Sequence, residues 1–150
     1  MSLSEDPKGT LKDLLRDNVT LLKDDELTPV KVLVCNEFNE EFWKKYDVII
    51  TVGLANTRER LVNLGGTVRE VIADYRVGVW TRDTTGITGQ SMRWKSIQEV
   101  TRIVNAYMKS PGGILNWMKV VSCIDSDKTD LKPVLYHSDI TVETHRLENL

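Results

Sequence analysis

Asp125, Asp127 and Asp130 fall at the opening of a loop where calcium could be held by carboxylates. A calcium loop of the helix-loop-helix type needs Asp or Asn at its fifth place, Gly at its sixth and Glu at its twelfth. Thr129, Asp130 and Tyr136 stand there instead, so the expectation is a solvated hairpin loop. Gly86 and Gly89 lie in a threonine-rich connection ahead of a helical pattern, a place where backbone N–H groups can receive phosphate. No Walker-type lysine accompanies them, and the next charges are Arg93 and Lys95, so a mobile connection is expected. Glu70, Asp74 and Arg76 put carboxylates on one strand without the adjacent lysine of a metal-dependent nuclease. Cys35, Cys123, His137 and His145 are the donors of a zinc site only in composition: there is no CxxC pair, and the histidines are eight residues apart. Both thiols sit in apolar runs and should be buried, while both histidines should face solvent, so no nucleophile and base can be paired. The chain is therefore expected not to be an enzyme, and to hold no metal and no cofactor.

The elements that would position these residues are legible from their periods. From Val71 to Val79 apolar residues alternate (Val71, Ala73, Tyr75, Val77, Val79). After Thr84–Gly89 the spacing becomes that of a helix: Trp94, Ile97, Thr101, Val104, Met108. This helix should end at Lys109-Ser110-Pro111-Gly112-Gly113. Upstream, residues 1–9 read as a mobile tail. Thr10 is placed to cap a helix with Leu11, Leu14, Leu15 and Val19 on its apolar side. Strands follow at Val30–Cys35 and Asp47–Val52. Thr57–Leu64 reads as a helical turn stopped by Gly65-Gly66, within a long loop from Ala55 to Gly66. Two strands close the chain, Trp117–Ile124 and Leu135–Thr144. The fold class is α+β: a mostly antiparallel sheet of about five strands in the order α-β-β-β-α-β-β, with two helices on one face. Nothing marks a domain boundary, so residues 1–150 form a single domain.

Composition narrows the partners. The chain has 150 residues, 41% hydrophobic and 28% charged, with a formal net charge of -2. Such a balance offers no global attraction to nucleic acid or to an anionic membrane. No apolar run approaches the roughly 20 residues that cross a bilayer. The polar, acidic start lacks the basic flank and apolar centre of a signal peptide, so synthesis in a cytosol is expected.

The strand from Glu70 to Arg82 carries Ile72, Asp74, Arg76, Gly78, Trp80 and Arg82 on the face away from its apolar alternation. Aliphatic, aromatic and arginine residues on a nominally wet face match the composition of a protein interface. A loop folded over Trp80 is the competing explanation. Arg93 and Lys95, in the first turn of the long helix against the dipole preference, hint at an acidic partner.

This element order, with Tyr75-Arg76-Val77-Gly78-Val79-Trp80-Thr81-Arg82, the helix Trp94–Met108 and the closing strand Tyr136–Glu143, resembles the tail-terminator and tail-completion (head–tail joining) proteins of tailed phages and related archaeal viruses. The resemblance spans about Thr10 to Thr144. It implies a structural virion protein, made in the host cytoplasm, that forms a homo-oligomeric ring, commonly a hexamer. The ring would cap the tail tube and meet the head connector, with the tube protein and the head-completion protein as partners and no sequence-specific nucleic acid. Interface residues are expected among Ile72, Arg76, Trp80 and Arg82. Loop contacts are expected from Thr84, Thr85 and Ile87, and from Arg58 and Arg60 between Asn56 and Gly66. The alternative is a small α+β enzyme or ligand-binding domain, in which Glu70, Asp74 and Arg76 would converge in a pocket.

Overall fold

The computed structural model describes residues 6–63 and 65–149. Helix α1 (Pro7–Asn18) is followed by β1 (Val32–Cys35), a short 3-10 helix (Glu40–Lys44), β2 (Val48–Leu61) and β3 (Val68–Thr81). Then come α2 (Gly89–Ala106), β4 (Trp117–Asp125) and β5 (Tyr136–Asn149). The sheet order is β1-β2-β3-β5-β4, with β1 parallel to β2 and every other pair antiparallel. The α+β class and element order are as read from the sequence; the sheet is mixed at its β1 edge.

Both helices pack on one face, over Val48, Ile50 and Val52 of β2, Ala73, Tyr75, Val77 and Val79 of β3, Met118 of β4, and Ile140 and Val142 of β5. The period-two reading of β3 thus identified the core side. The helix reading was rotated. Trp94 is 61% exposed, and α2 buries Gly89, Met92, Ser96, Val100, Ile103 and Val104 instead. Small residues at 89 and 96 let the helix sit close to the sheet, and Ser96 donates to Met92 O within the helix (2.7 Å).

Three further expectations are corrected. Helix α1 begins at Pro7, with Asp6 as its cap accepting from Lys8 N (3.1 Å), so residues 7–9 belong to the helix; Thr10 is buried inside it, and residues 1–5 of the expected tail lie outside the described residues. Residues 55–61 form no loop or helical turn but extend β2, which pairs with β3 from Ile49↔Trp80 to Leu61↔Arg69 with one bulge at Leu54/Asn56; Leu64 lies outside the described residues. The connection after β3 is a closed turn. Thr84 and Ile87 exchange backbone hydrogen bonds (3.1 and 3.0 Å), Asp24 N donates to Gly86 O (2.9 Å), and the Thr88 hydroxyl donates to Asp24 (2.8 Å).

Candidate interaction surface on the open sheet face

Strand register sets the rows of the face away from the helices. Ile49, Trp80 and His137 share a row, as do Thr51, Gly78 and Asp139. Below them lie Gly53, Arg76 and Thr141; then Asn56, Asp74, Glu143 and Lys119; then Arg58, Ile72, His145 and Trp117; then Arg60, Glu70 and Leu147.

Aromatic stacking closes the upper row. The segment leading into the 3-10 helix brings Phe38 onto Trp80 (centroids 4.3 Å apart), Trp80 lies on His137 (3.7 Å), and Trp43 meets Phe38 edge-on (5.8 Å). Arg82 caps this ladder, its guanidinium carbon 4.9 Å from the Trp43 ring. The Trp80 indole N–H donates to Thr51 (3.2 Å) and needs Gly78 beneath it, since a Cβ there would stand 2.5 Å from Thr51 Oγ1 and 3.0 Å from the indole nitrogen. Trp80 is therefore held by a loop folded over it, the explanation set beside the interface reading.

An ionic network holds the lower rows. Arg58 bridges Asp74 (2.8 Å) and Glu143 (3.0 Å), while Arg60 lies 3.0 Å from Glu70. His145 sits between Glu143 (2.6 Å) and Glu70 (3.2 Å), its ring stacked on Trp117 at 3.5 Å. The Glu70–His145 approach lacks hydrogen-bond alignment, leaving Glu70 Oε1 and His145 Nδ1 buried without a hydrogen-bond partner. Burial works to raise the Glu143 pKa, but the His145 hydrogen bond and the charges of His145, Lys119 and Arg58 outweigh it and leave Glu143 below the usual carboxylate value. Arg76 takes no part in this network: Glu70 and Asp74, which were expected to cluster with it, pair instead with Arg60, His145 and Arg58.

The other candidates divide. Arg76 is exposed and, among the described residues, forms no ion pair; Thr84 and Thr85 are also exposed. Ile72 (8% exposed) and Ile87 (3%) are buried within the protein and have little surface to offer a neighbour. Arg93 is paired with Asp127 and, at 3.7 Å, with Asp125, so its charge is answered within the chain. Both histidines are buried, contrary to expectation, because Trp80 and Trp117 cover their rings. Cys123 is exposed on β4 and Cys35 half-buried; burial raises the pKa of each thiol, favouring the neutral form. Among the described residues no group of His, Cys, Asp and Glu could hold a metal ion, and no helix is long and apolar enough to cross a membrane.

Sequence reasoning missed the two free strand edges. Strand β1 pairs only with Val48–Thr51, so β2 from Gly53 to Leu61 has no strand beyond it among the described residues. At the other end β4 is the last strand, and Val121 and Ile124 are 45% and 66% exposed on it. Leu54 (59%) and Leu61 (62%) are the corresponding apolar residues of β2. The exposed apolar residues of a strand could have signalled one edge, but edge position itself is a property of topology.

No protein-family model matches the chain, and no curated protein sequence matches it.

His137 supplies a pH dependence. Burial disfavours the imidazolium and, against the opposing pull of Asp139 and Asp127, sets the folded-state pKa below the ordinary 6.5. As pH falls, the unfolded chain takes up this proton first. The contribution to stability is whole above the unfolded value and is lost as pH falls through the folded one. Denaturation midpoints measured from about pH 8 to about pH 5.5 are expected to decline towards acid. His137→Phe, which keeps a ring under Trp80, is expected to flatten the decline; an unchanged slope would show that other groups cause it.

Proposed function

We propose that the protein is a structural assembly subunit. It closes into a homo-oligomeric ring by pairing the free edge of β2 in one copy with the free edge of β4 in the next. By its resemblance, the ring is that of a tail-terminator or tail-completion protein, probed first as a hexamer. It caps the tail tube and meets the head connector, with the tube protein and head-completion protein as neighbours in the virion. The observation that carries this reading is the pair of open edges at opposite ends of one sheet. Unpaired N–H and C=O groups along a strand are a template for another chain. Strand β4 is nine residues long, and the free run of β2, Gly53–Leu61, matches it. Strand sense agrees as well. Since β3, β5 and β4 alternate in direction from β2, a β4 placed beside β2 runs antiparallel to it and continues the alternation. Copies joined head to tail make a heterologous contact, which closes into a ring when the rotation between copies divides the circle.

Light scattering on the purified protein and negative-stain images test the ring. Leu54→Lys and Ile124→Lys, each placing a charge on an exposed edge residue, are expected to abolish it while leaving circular dichroism unchanged. Each variant retains one intact edge, so an equimolar mixture is expected to form dimers and nothing larger. A symmetric pairing of β4 with β4 would instead leave Leu54→Lys fully assembled. A wild-type protein that remains monomeric at high concentration and is missing from purified particles would overturn the reading.

A further inference from the structure

Between the 3-10 helix and the loop joining β4 to β5 lies a cleft of about 460 Å³, bounded by Trp43, Lys44, Arg82, Lys132 and the apolar side chains of Leu131 and Leu135. None of these residues belongs to the free run of β2 or to β4. Arg82 is half-buried and lies over Trp43, and among the described residues it forms no hydrogen bond and no ion pair through its side chain. Among the described residues only Arg76, which is exposed, shares this lack of a carboxylate partner. Arg16, Arg58, Arg60, Arg69, Arg93, Arg102 and Arg146 each have a carboxylate within ion-pair distance. Lys132, exposed on the cleft rim, has no acidic partner among the described residues, as holds for the chain's other described lysines except Lys44, which is answered by Glu41 at 2.7 Å. Among the described residues, the single carboxylate on the cleft wall is Glu40.

A guanidinium held over an indole is restrained by it, and since the ring takes no hydrogen bond from the fork, its N–H groups stay open to an acceptor. Five donors without an acceptor, beside a second unanswered cation, are the complement of a planar or tetrahedral oxyanion. We propose that this cleft binds a carboxylate or phosphate group carried on a small apolar or aromatic body. Arg82 is the bidentate anchor, Lys132 a second charge, and Leu131 and Leu135 the walls that receive the body. The aromatic ladder from Trp43 to His137 preorganises the anchor, so little side-chain freedom is lost on binding. The site does not depend on ring formation.

Nuclear magnetic resonance on the uniformly ¹⁵N-labelled full chain tests it, reading the Arg82 Nε–H and Trp43 indole signals. Phenyl phosphate, benzoate and inorganic phosphate are titrated at ionic strength held constant with chloride. The expected result is saturable movement of both signals, with phenyl phosphate or benzoate binding more tightly than inorganic phosphate; which of the two binds better distinguishes a phosphate from a carboxylate ligand. Arg82→Gln is expected to weaken binding by about tenfold or more, and Arg82→Lys to recover only part of it. Lys132→Gln, at an exposed position with no side-chain hydrogen bond or ion pair to lose among the described residues, is expected to weaken binding by about threefold. Movement that never saturates, that persists unchanged in Arg82→Gln, or that is absent at about 20 mM probe would overturn the proposal.

Discussion

Replacing Gly89 with alanine is expected to destabilise the protein by about 3 kcal/mol, the upper range for overpacking a filled interior. Gly89 opens α2 where the helix comes down against the end of β3. A Cβ at this position would lie 2.7 Å from the carbonyl carbon of Arg82, 2.7 Å from Tyr136 Cδ2 and 2.9 Å from Asp83 N. Two of those three atoms are backbone, which cannot rotate away. The same residue is tied from both sides: its N–H donates to Asp83 (2.7 Å), and its carbonyl accepts from the buried hydroxyl of Thr81 (2.7 Å). Relief would require α2 to lift, and that would open the contacts of Met92 and Ser96 with the sheet. For a chain of this size the change corresponds to a fall in Tm of roughly 6–12 °C, measurable by calorimetry. A fall below about 2 °C would show that the helix start shifts more freely than its contacts imply.

His145→Leu is expected to cost about 3 kcal/mol, the scale of leaving a buried carboxylate without its hydrogen-bond partner. The imidazole separates Glu70 and Glu143, whose side chains are 10% and 15% exposed, and it fills the space under Trp117. Leucine restores much of the volume but leaves the two carboxylates without the group between them. Arg58 and Arg60 answer each carboxylate from one side only. Because the loss runs through the hydrogen bond between His145 and Glu143, it should be non-additive: Glu143→Gln in the His145→Leu background is expected to cost less than Glu143→Gln alone, in a double-mutant cycle read by urea denaturation. Acid acts on the same network. The Glu143 carboxylate is held below its ordinary pKa, so its contribution is present above the unfolded value and disappears as pH falls through the folded one. Strict additivity in the cycle would mean that His145 contributes by packing on Trp117 alone.

Where one side of an element is buried and the other is wet, the residues reported it. Strand β3 announced its core face, because Ala73, Tyr75, Val77 and Val79 meet the helices, and Val71 is buried beside them in the alternation, while Asp74 and Arg76 do not join that core. Strand β5 did the same through Ile140 and Val142. The second half of β2 gave no such sign. Residues 54–61 are exposed, and a strand without a buried side has no alternation to read; backbone pairing with β3 holds it in place. In α2 the large apolar side chains misled, since close packing selected the small Gly89 and Ser96 for the interior and turned Trp94 outward. Of the candidate site, Arg76 and Arg82 were visible as arginines on a strand's second face. Their freedom from carboxylate partners was not visible, because it depends on which acids the register brings near. Trp80 and the two histidines were placed on the correct face, but their burial comes from stacking between residues 38, 80 and 137 and between 117 and 145, contacts far apart along the chain.

The central position of β3 carries a kinetic consequence. Its pairing with β2 is a hairpin, needing only the short reversal from Val62 to Thr67, so those rungs can form within a local search. Its pairing with β5 is of a different order: even the nearest rung, Thr81 with Tyr136, closes a loop of about 55 residues that holds all of α2 and β4. Loop closure of that length must precede the contacts that reward it, so the β3–β5 seam is expected to form late, which pulse-labelled hydrogen exchange of β3 and β5 amides would show. The hairpin thus acts as a template that waits for the rest of the chain. Until β5 arrives, one whole side of β3 is an unoccupied edge, and the span between hairpin closure and β5 docking is when the nascent protein is most open to mispairing with another copy.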